Sequence, residues 1–291
     1  MARIFRHPDV EDYFHLLDLQ EEPEALARKA TALYESGRVI VLKDHRIDFD
    51  AGVLSGVRFD EQATKKFKSI AFLKHFRPLA AHEEPAEPYR ELLATAFRGD
   101  RRRMNAFAQQ VGSINAQVDA LLKRLFPGYR IERPSITWRL HETINENLHV
   151  DVYNEDQPMH HVRLFVNLDT APRIWHTSHS LEHLLRNSLH LLDDEFVRTA
   201  TPGRICHALN FAVFKGFEEA GREGQPKHIV FFEPGEVWAV DSRKVSHQIF
   251  FGRTALSTEH AIAESSMADP ASHYYRLVER YRSQWLAASP A

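Results

Sequence analysis

The run Leu148-His149-Val150-Asp151-Val152 places two metal-ligand residue types one position apart in a β-like stretch, and Val245-Ser246-His247 supplies a third 96 positions beyond the aspartate. Residues i and i+2 of a strand share a face, so His149 and Asp151 can reach one ion and His247 can complete the set. Two histidines and one carboxylate that leave coordination positions open hold non-haem Fe(II) in oxygenases. The short motif is weak alone: with 18 His and 16 Asp in 291 residues, His-x-Asp is expected about once, and His7-Pro8-Asp9 is a second instance. Context adds weight. If Val150 and Val152 face a core, His149 and Asp151 face a cavity, where a carboxylate needs hydrogen bonds or a cation. An ion pair with Arg139 or Arg163 would answer the same need. His207 (in an expected strand, 205–211), His228 and His260 are rival third ligands, whereas adjacent His160 and His161 would point to opposite faces of a strand. Zinc suits the same donors, but no His-Glu-x-x-His motif accompanies them.

The elements that must position these residues divide unevenly. Apolar spacing predicts helices over 23–34, 89–98 and 103–125, with a short buried strand at 38–42. From residue 129 onward short β-rich runs dominate, at 136–140, 148–153, 162–168, 229–232, 236–240 and 247–251. The expected architecture is α+β, one unit over 1–291. A mainly helical support region, 1–128, wraps a sandwich- or barrel-like β core, 129–260. Insertions are expected at about 176–200 and 212–228, and a final helix at 271–287.

An apolar content of 43% supports a substantial core, and a formal charge of −3 gives no global field favouring nucleic acid. The single cysteine, Cys206, excludes an internal disulfide and a cysteine zinc cluster. No stretch has the length or apolarity of a membrane span or of a signal peptide, so a cytoplasmic protein is expected. Local basic groups (Lys65, Lys66 and Lys68; Lys74 and Arg77; Arg101 to Arg103; Arg173) could meet an anionic substrate, though each also reads as a solvated face.

His149-Val-Asp-Val-Tyr-Asn154, Arg163-Leu-Phe-Val-Asn-Leu-Asp169, Pro172-Arg-Ile-Trp175 and the stretch from Gly235 to Arg253 together resemble the Fe(II)/2-oxoglutarate-dependent oxygenases, most closely the 3-deoxy-D-manno-oct-2-ulosonic acid (Kdo) hydroxylases. The resemblance implies a double-stranded β-helix, a cupin-like jelly roll, with Fe(II) on His149, Asp151 and His247. It also implies 2-oxoglutarate and O2 as co-substrates, and hydroxylation of a Kdo sugar on a lipid A precursor with release of succinate and CO2. The partner would be an anionic, lipid-linked sugar met in transient contact with the inner membrane; homo-oligomerisation stays open. The far carboxylate of 2-oxoglutarate needs a fixed cation, and Arg is apt because its fork matches a carboxylate. Arg253, just past a turn at Gly252, is the first choice and Arg163 the second, with Asn167 and Tyr153 as further polar contacts. The same chemistry on another small molecule or peptide side chain is the alternative, as is a cupin-like isomerase or hydrolase; a binding protein with Asp151 in an ion pair stands furthest away.

Overall fold

The computed structural model describes residues 1–57, 59, 67, 70–152, 159–215 and 224–288. Its strands are β1 (Arg3–Phe5), β2 (Phe14–Leu17), β3 (Val39–Arg46), β4 (Ile131–Arg133), β5 (Ile136–Ile144), β6 (His160–Val162), β7 (Leu164–Asn167), β8 (Arg173–Ser180), β9 (His228–Phe232), β10 (Glu236–Ala239), β11 (Val245–Thr258) and β12 (His260–Ile262). Its helices are α1 (Pro23–Glu35), α2 (Ala51–Ser55), α3 (Tyr89–Thr95), α4 (Arg101–Leu125), α5 (Leu181–Ser188), α6 (Asp194–Thr199), α7 (Pro202–Phe214) and α8 (Tyr274–Ala288).

The large sheet runs β1-β9-β8-β11-β7-β10-β3-β2, with β5 on a second edge of β11, and β4-β12-β6 form a smaller sheet. Pairing is antiparallel except between β2 and β3. The 14-residue strand β11 is the hinge of this arrangement. Its first half pairs with β8 and its second half with β7, while β5 follows it from Phe251 to Thr258. One strand serving different neighbours along its length, with register shifts between them, curls the sheet into a cupin-like half-barrel. The fold is thus α+β, with N-terminal and C-terminal helices flanking a jelly-roll-like core.

Helices α1 and α4 carry the expected apolar stripes, whereas α3 ends at Thr95, three residues short of the expected 98. Pro23 opens α1, Glu22 caps it, and Leu26, Ala30 and Tyr34 are buried on one face. Asp100 accepts the amide of Arg103 and so starts α4 at Arg101, two residues before the expected boundary. The α4 stripe packs with α1 residues against one face of the sheet. The first 128 residues also contribute strands that the helical pattern hid: β1 and β2 join the same sheet as the later strands.

Other expectations need correction. The interruption expected from residue 176 begins at Leu181, because β8 continues to Ser180 as an integral strand. The strand expected at 205–211 is helix α7: Thr201 caps it, Pro202 begins it, and Ile205, Cys206 and Leu209 form its buried stripe. α5, α6, α7 and α8 build a second core. A third core, with Phe165, Trp175, Phe232 and Trp238, fills the curl of the sheet. Of the second expected insertion, residues 216–223 lie outside the described residues, as do Lys65, Lys66 and Lys68.

Candidate metal centre

The stretch 148–152 is extended but is not a ladder strand. His149 makes an isolated antiparallel bridge to His247, its amide donating to the His247 carbonyl at 3.1 Å and its carbonyl accepting the reciprocal bond at 2.8 Å. On the other edge a side chain replaces the missing strand: the Val150 amide donates to Asn210 Oδ1, and Asn210 Nδ2 donates to the Val150 carbonyl, both at 2.9 Å. Leu148 and Val150 turn into the helical core, so His149 and Asp151 turn the other way, into a cavity inside the curled sheet.

Two residues directly opposite in an antiparallel pair project from the same face. His149 and His247 therefore stand side by side, with ring centroids 4.8 Å apart. Asp151 Oδ1 lies 3.2 Å from His149 Nε2 and 3.9 Å from His247 Nε2. The opposite ring nitrogens are occupied: His149 Nδ1 sits 2.7 Å from the Asn147 carbonyl and His247 Nδ1 3.1 Å from the Val245 carbonyl. Since a carbonyl only accepts, each ring when neutral holds its proton on Nδ1 and aims an Nε2 lone pair inward. Two nitrogen lone pairs and a carboxylate oxygen thus converge, and a divalent cation satisfies all three. The donor set fits non-haem iron.

Asp151 is held as an anion, which favours a cation or a proton at the two rings. Burial pushes the Asp151 carboxyl up, but Arg163 and the two histidines overcome it and hold the group ionised well below the usual carboxylate range. Burial also disfavours the His149 imidazolium, yet the hydrogen bond and charge of Asp151 leave its pKa raised. His247, buried and beside His149, is lowered to about 4 despite the attraction of Asp151. Trp175 covers the His247 ring at 5.2 Å and 22°.

Asp151 Oδ2 points away from the histidines. It accepts from Arg163 Nη1 and from Ser242 Oγ, the latter at 2.6 Å. The Arg163 guanidinium, 4.7 Å above the Phe165 ring, is therefore engaged with the ligand carboxylate. Arg253 does not line this cavity: its Nε and Nη2 both donate to Asp169 at 2.8 Å, beside a separate cleft with Leu140 and Thr254. Asn167 is fully buried, donating to the Ala171 and Phe232 carbonyls and accepting from the Asp169 amide. Tyr153 lies outside the described residues.

The arginine that does enter the cavity is Arg173. It is 3% exposed, lines the cavity with Arg139, Arg163 and the three candidate ligands, and its guanidinium makes no hydrogen bond or ion pair with any described residue. Burial, then Arg139, lowers its pKa to about 9. Gly252 is not a turn; it lies inside β11, opposite Thr143, and a Cβ there would collide with Arg173 Nη1. The missing side chain is what admits the guanidinium. The sequence offered a signal in Arg173-x-Trp175, a two-residue period on the strand facing His247, but an arginine beside a proline reads first as a surface residue.

The rival histidines are elsewhere. His207 is exposed on α7. His228 Nδ1 accepts the His7 amide at 2.9 Å, and His260 Nδ1 accepts the Ser135 amide at 2.8 Å. A second group of two histidines and a carboxylate, Glu11 with His179 and His183, does exist. Its rings are stacked at 3.9 Å and 7°, so their lone pairs lie in separate, nearly parallel planes and do not meet at one in-plane point. Glu11 Oε1 already accepts the Ser180 amide.

No family model matches the chain, and no curated protein matches it in sequence. Solved structures do. The structure of the Kdo hydroxylase KdoO, a non-haem Fe(II) alphaketoglutarate-dependent dioxygenase, in complex with succinate and Fe(III) superposes with a TM-score of 0.61 at 16% identity, covering 96% of this chain and 99% of that one. This chain has the KdoO fold. The KdoO complex with alphaketoglutarate and Fe(III) gives a TM-score of 0.57 at 16% identity, over 92% and 95% of the two chains. The cobalt(II) complex gives 0.58 at 17%, over 96% and 99%. Likeness to KdoO therefore extends over nearly the whole of both chains, helices included. Among the described residues no helix is long and apolar enough to cross a membrane.

Proposed function

We propose that this chain is an Fe(II)/2-oxoglutarate-dependent dioxygenase of one oxygenase domain that hydroxylates a Kdo sugar on a lipid A precursor. The observation that carries the chemistry is one cavity holding both a converging His149-Asp151-His247 donor set and a buried arginine unpaired among the described residues. The choice of sugar is supported by likeness in fold to KdoO, a Kdo hydroxylase.

His149 Nε2, Asp151 Oδ1 and His247 Nε2 would hold the iron. Bound there with its co-substrate, the metal would supply oxidative hydroxylation coupled to conversion of 2-oxoglutarate and O2 to succinate and CO2. Arg173, with Arg139 beside it, would hold the far carboxylate of 2-oxoglutarate. A buried guanidinium gains roughly 1.5–3 kcal/mol from a charge-assisted bond, and desolvation leaves Arg173 in need of one. Asn167 and Arg253 are placed outside this cavity and Tyr153 is outside the described residues, so the co-substrate contact is assigned to Arg173 instead. Trp175, Phe165 and Ile249 line the same cavity with apolar surface, which limits water around the reacting centre. No side chain need act as a general base, because the cofactor pair carries the bond making. The substrate would be reached from the cytoplasmic side, the protein resting at the inner membrane surface without crossing it.

Purified protein given Fe(II), O2 and 2-oxoglutarate should form succinate, and a Kdo-bearing lipid A precursor should gain one oxygen by mass spectrometry. Succinate without the added oxygen would reject the sugar and keep the chemistry; no 2-oxoglutarate turnover with any acceptor would reject both.

A further inference from the structure

The turn between β10 and β11, Asp241-Ser242-Arg243-Lys244, has the composition of a surface turn, yet all four residues are at most 5% exposed. Asp241 Oδ1 accepts from the Arg243 amide at 3.2 Å and from Arg243 Nε at 3.1 Å. Arg243 Nη1 donates to the Met159 carbonyl at 2.6 Å, and its guanidinium lies 4.2 Å over the Tyr274 ring. The Lys244 amide closes the turn on the Asp241 carbonyl at 2.8 Å. Buried ion pairs are poor sources of net stability, because desolvation offsets their attraction. Their retention here has a geometric counterpart: they fix Ser242.

Ser242 holds Asp151 at two points. Its carbonyl accepts the Asp151 amide at 2.9 Å, and its hydroxyl donates to Asp151 Oδ2 at 2.6 Å. The same hydroxyl accepts from Arg163 Nη1 at 2.6 Å, and Arg163 Nη1 also meets Oδ2. Hydroxyl, guanidinium and carboxylate thus form a closed triangle on one oxygen, leaving the other facing the histidines.

We propose that Ser242, set by the buried Asp241-Arg243 turn and working with Arg163, is a positioning residue that restricts Asp151 to metal binding through Oδ1 alone. The inference rests on the metal-centre reading above. A carboxylate free to use both oxygens would occupy a coordination position that the co-substrates need, so the clamp preserves open positions as well as orienting a ligand. It also ties Arg163 Nη1 to the carboxylate and the hydroxyl.

The test is Co(II) titration of the full chain, wild type against Ser242→Ala, read by d–d absorption, with thermal unfolding of both metal-free proteins. Loss of such an outer partner typically weakens metal binding about 10- to 100-fold. The expected result is a dissociation constant raised by at least about 10-fold and a changed d–d band, with only the small fall in metal-free melting temperature that loss of one buried hydroxyl brings. Equal Co(II) affinity in the two proteins overturns the clamp and leaves the metal centre standing. Weaker binding with an unchanged band and a matching fall in metal-free melting temperature assigns Ser242 to folding alone and also overturns it. A wild-type protein that binds no Co(II) removes the metal centre, and the clamp with it.

Discussion

His149 and His247 exchange both of their backbone hydrogen bonds, at 3.1 and 2.8 Å, as an isolated bridge outside any ladder. This single bridge brings two distant parts of the chain onto one face at one level. It makes the candidate metal centre a property of backbone register. A one-residue slip of β11 would turn His247 away and bring Ser246 or Gln248 into its place.

The ligands are therefore expected to act as a set. His247→Ala and Asp151→Ala should each abolish succinate formation and lower Fe(II) or Co(II) affinity, with the fold retained by circular dichroism. Full turnover in either variant would show that the converging donors are not the metal centre.

Arg173 and Arg253 make opposite predictions. Gly252→Ala places a methyl against Arg173 Nη1 and 2.9 Å from its Cγ, so the whole side chain must leave its place, the guanidinium with it. The variant should fold, bind metal, and show a KM for 2-oxoglutarate raised about 10-fold or more, in line with loss of a bond worth roughly 1.5–3 kcal/mol. Arg173→Met should do the same. Arg253→Ala removes the half-exposed partner of the buried Asp169 and should leave that KM unchanged, at a stability cost of about 1–3 kcal/mol. The reverse outcome in steady-state kinetics would return the co-substrate to Arg253.

How far the centre can be read from sequence depends on what each residue has for neighbours. His149 and Asp151 are legible because alternation with Val150 and Val152 survives without a full strand. The irregular pairing around them is not, because its second edge is a side-chain amide from α7, and no local pattern encodes that partner. Asp241 to Lys244 reads as a solvated turn, since burying three charges is unfavourable unless they are paired, and the partners from outside the turn lie at Met159, Tyr274 and Glu35. Gly252 reads as a turn because glycine usually marks one; here it clears space for a residue on another strand. The helices 101–125 and 274–288 are the easiest part, each having one apolar stripe over many turns.

Asn210 should behave as a structural stand-in for a strand. Asn210→Ala leaves the Val150 amide and carbonyl without their partners, at a cost of about 1–3 kcal/mol. Chemical denaturation should show that loss, and metal affinity should fall with it, because His149 and Asp151 flank Val150. An unchanged unfolding free energy would mean that water replaces the amide without cost.

Acid should destabilise the fold before the carboxylates titrate. Burial lowers His260 and His273 from 6.5 to about 4. Each Nδ1 accepts a backbone amide, from Ser135 and Tyr275 respectively, which only the neutral ring can do. Between about pH 6.5 and 4 the unfolded chain takes up protons that the folded chain refuses, so stability falls as pH falls. At about pH 5 each ring accounts for a loss on the order of 2 kcal/mol relative to neutral pH. Unfolding free energies measured from about pH 7 to 5 should show this slope, and His260→Asn should reduce it. A flat profile would place these rings in water.

The stacking of Trp175 on His247, 5.2 Å between centroids, makes the indole an optical reporter of the ligand beneath it. An open-shell ion bound at His247 Nε2 offers a path for non-radiative decay of the excited indole. Filling of the centre should therefore quench the intrinsic fluorescence of the unlabelled protein, and a Trp175→Phe variant should lose that signal while still binding the ion.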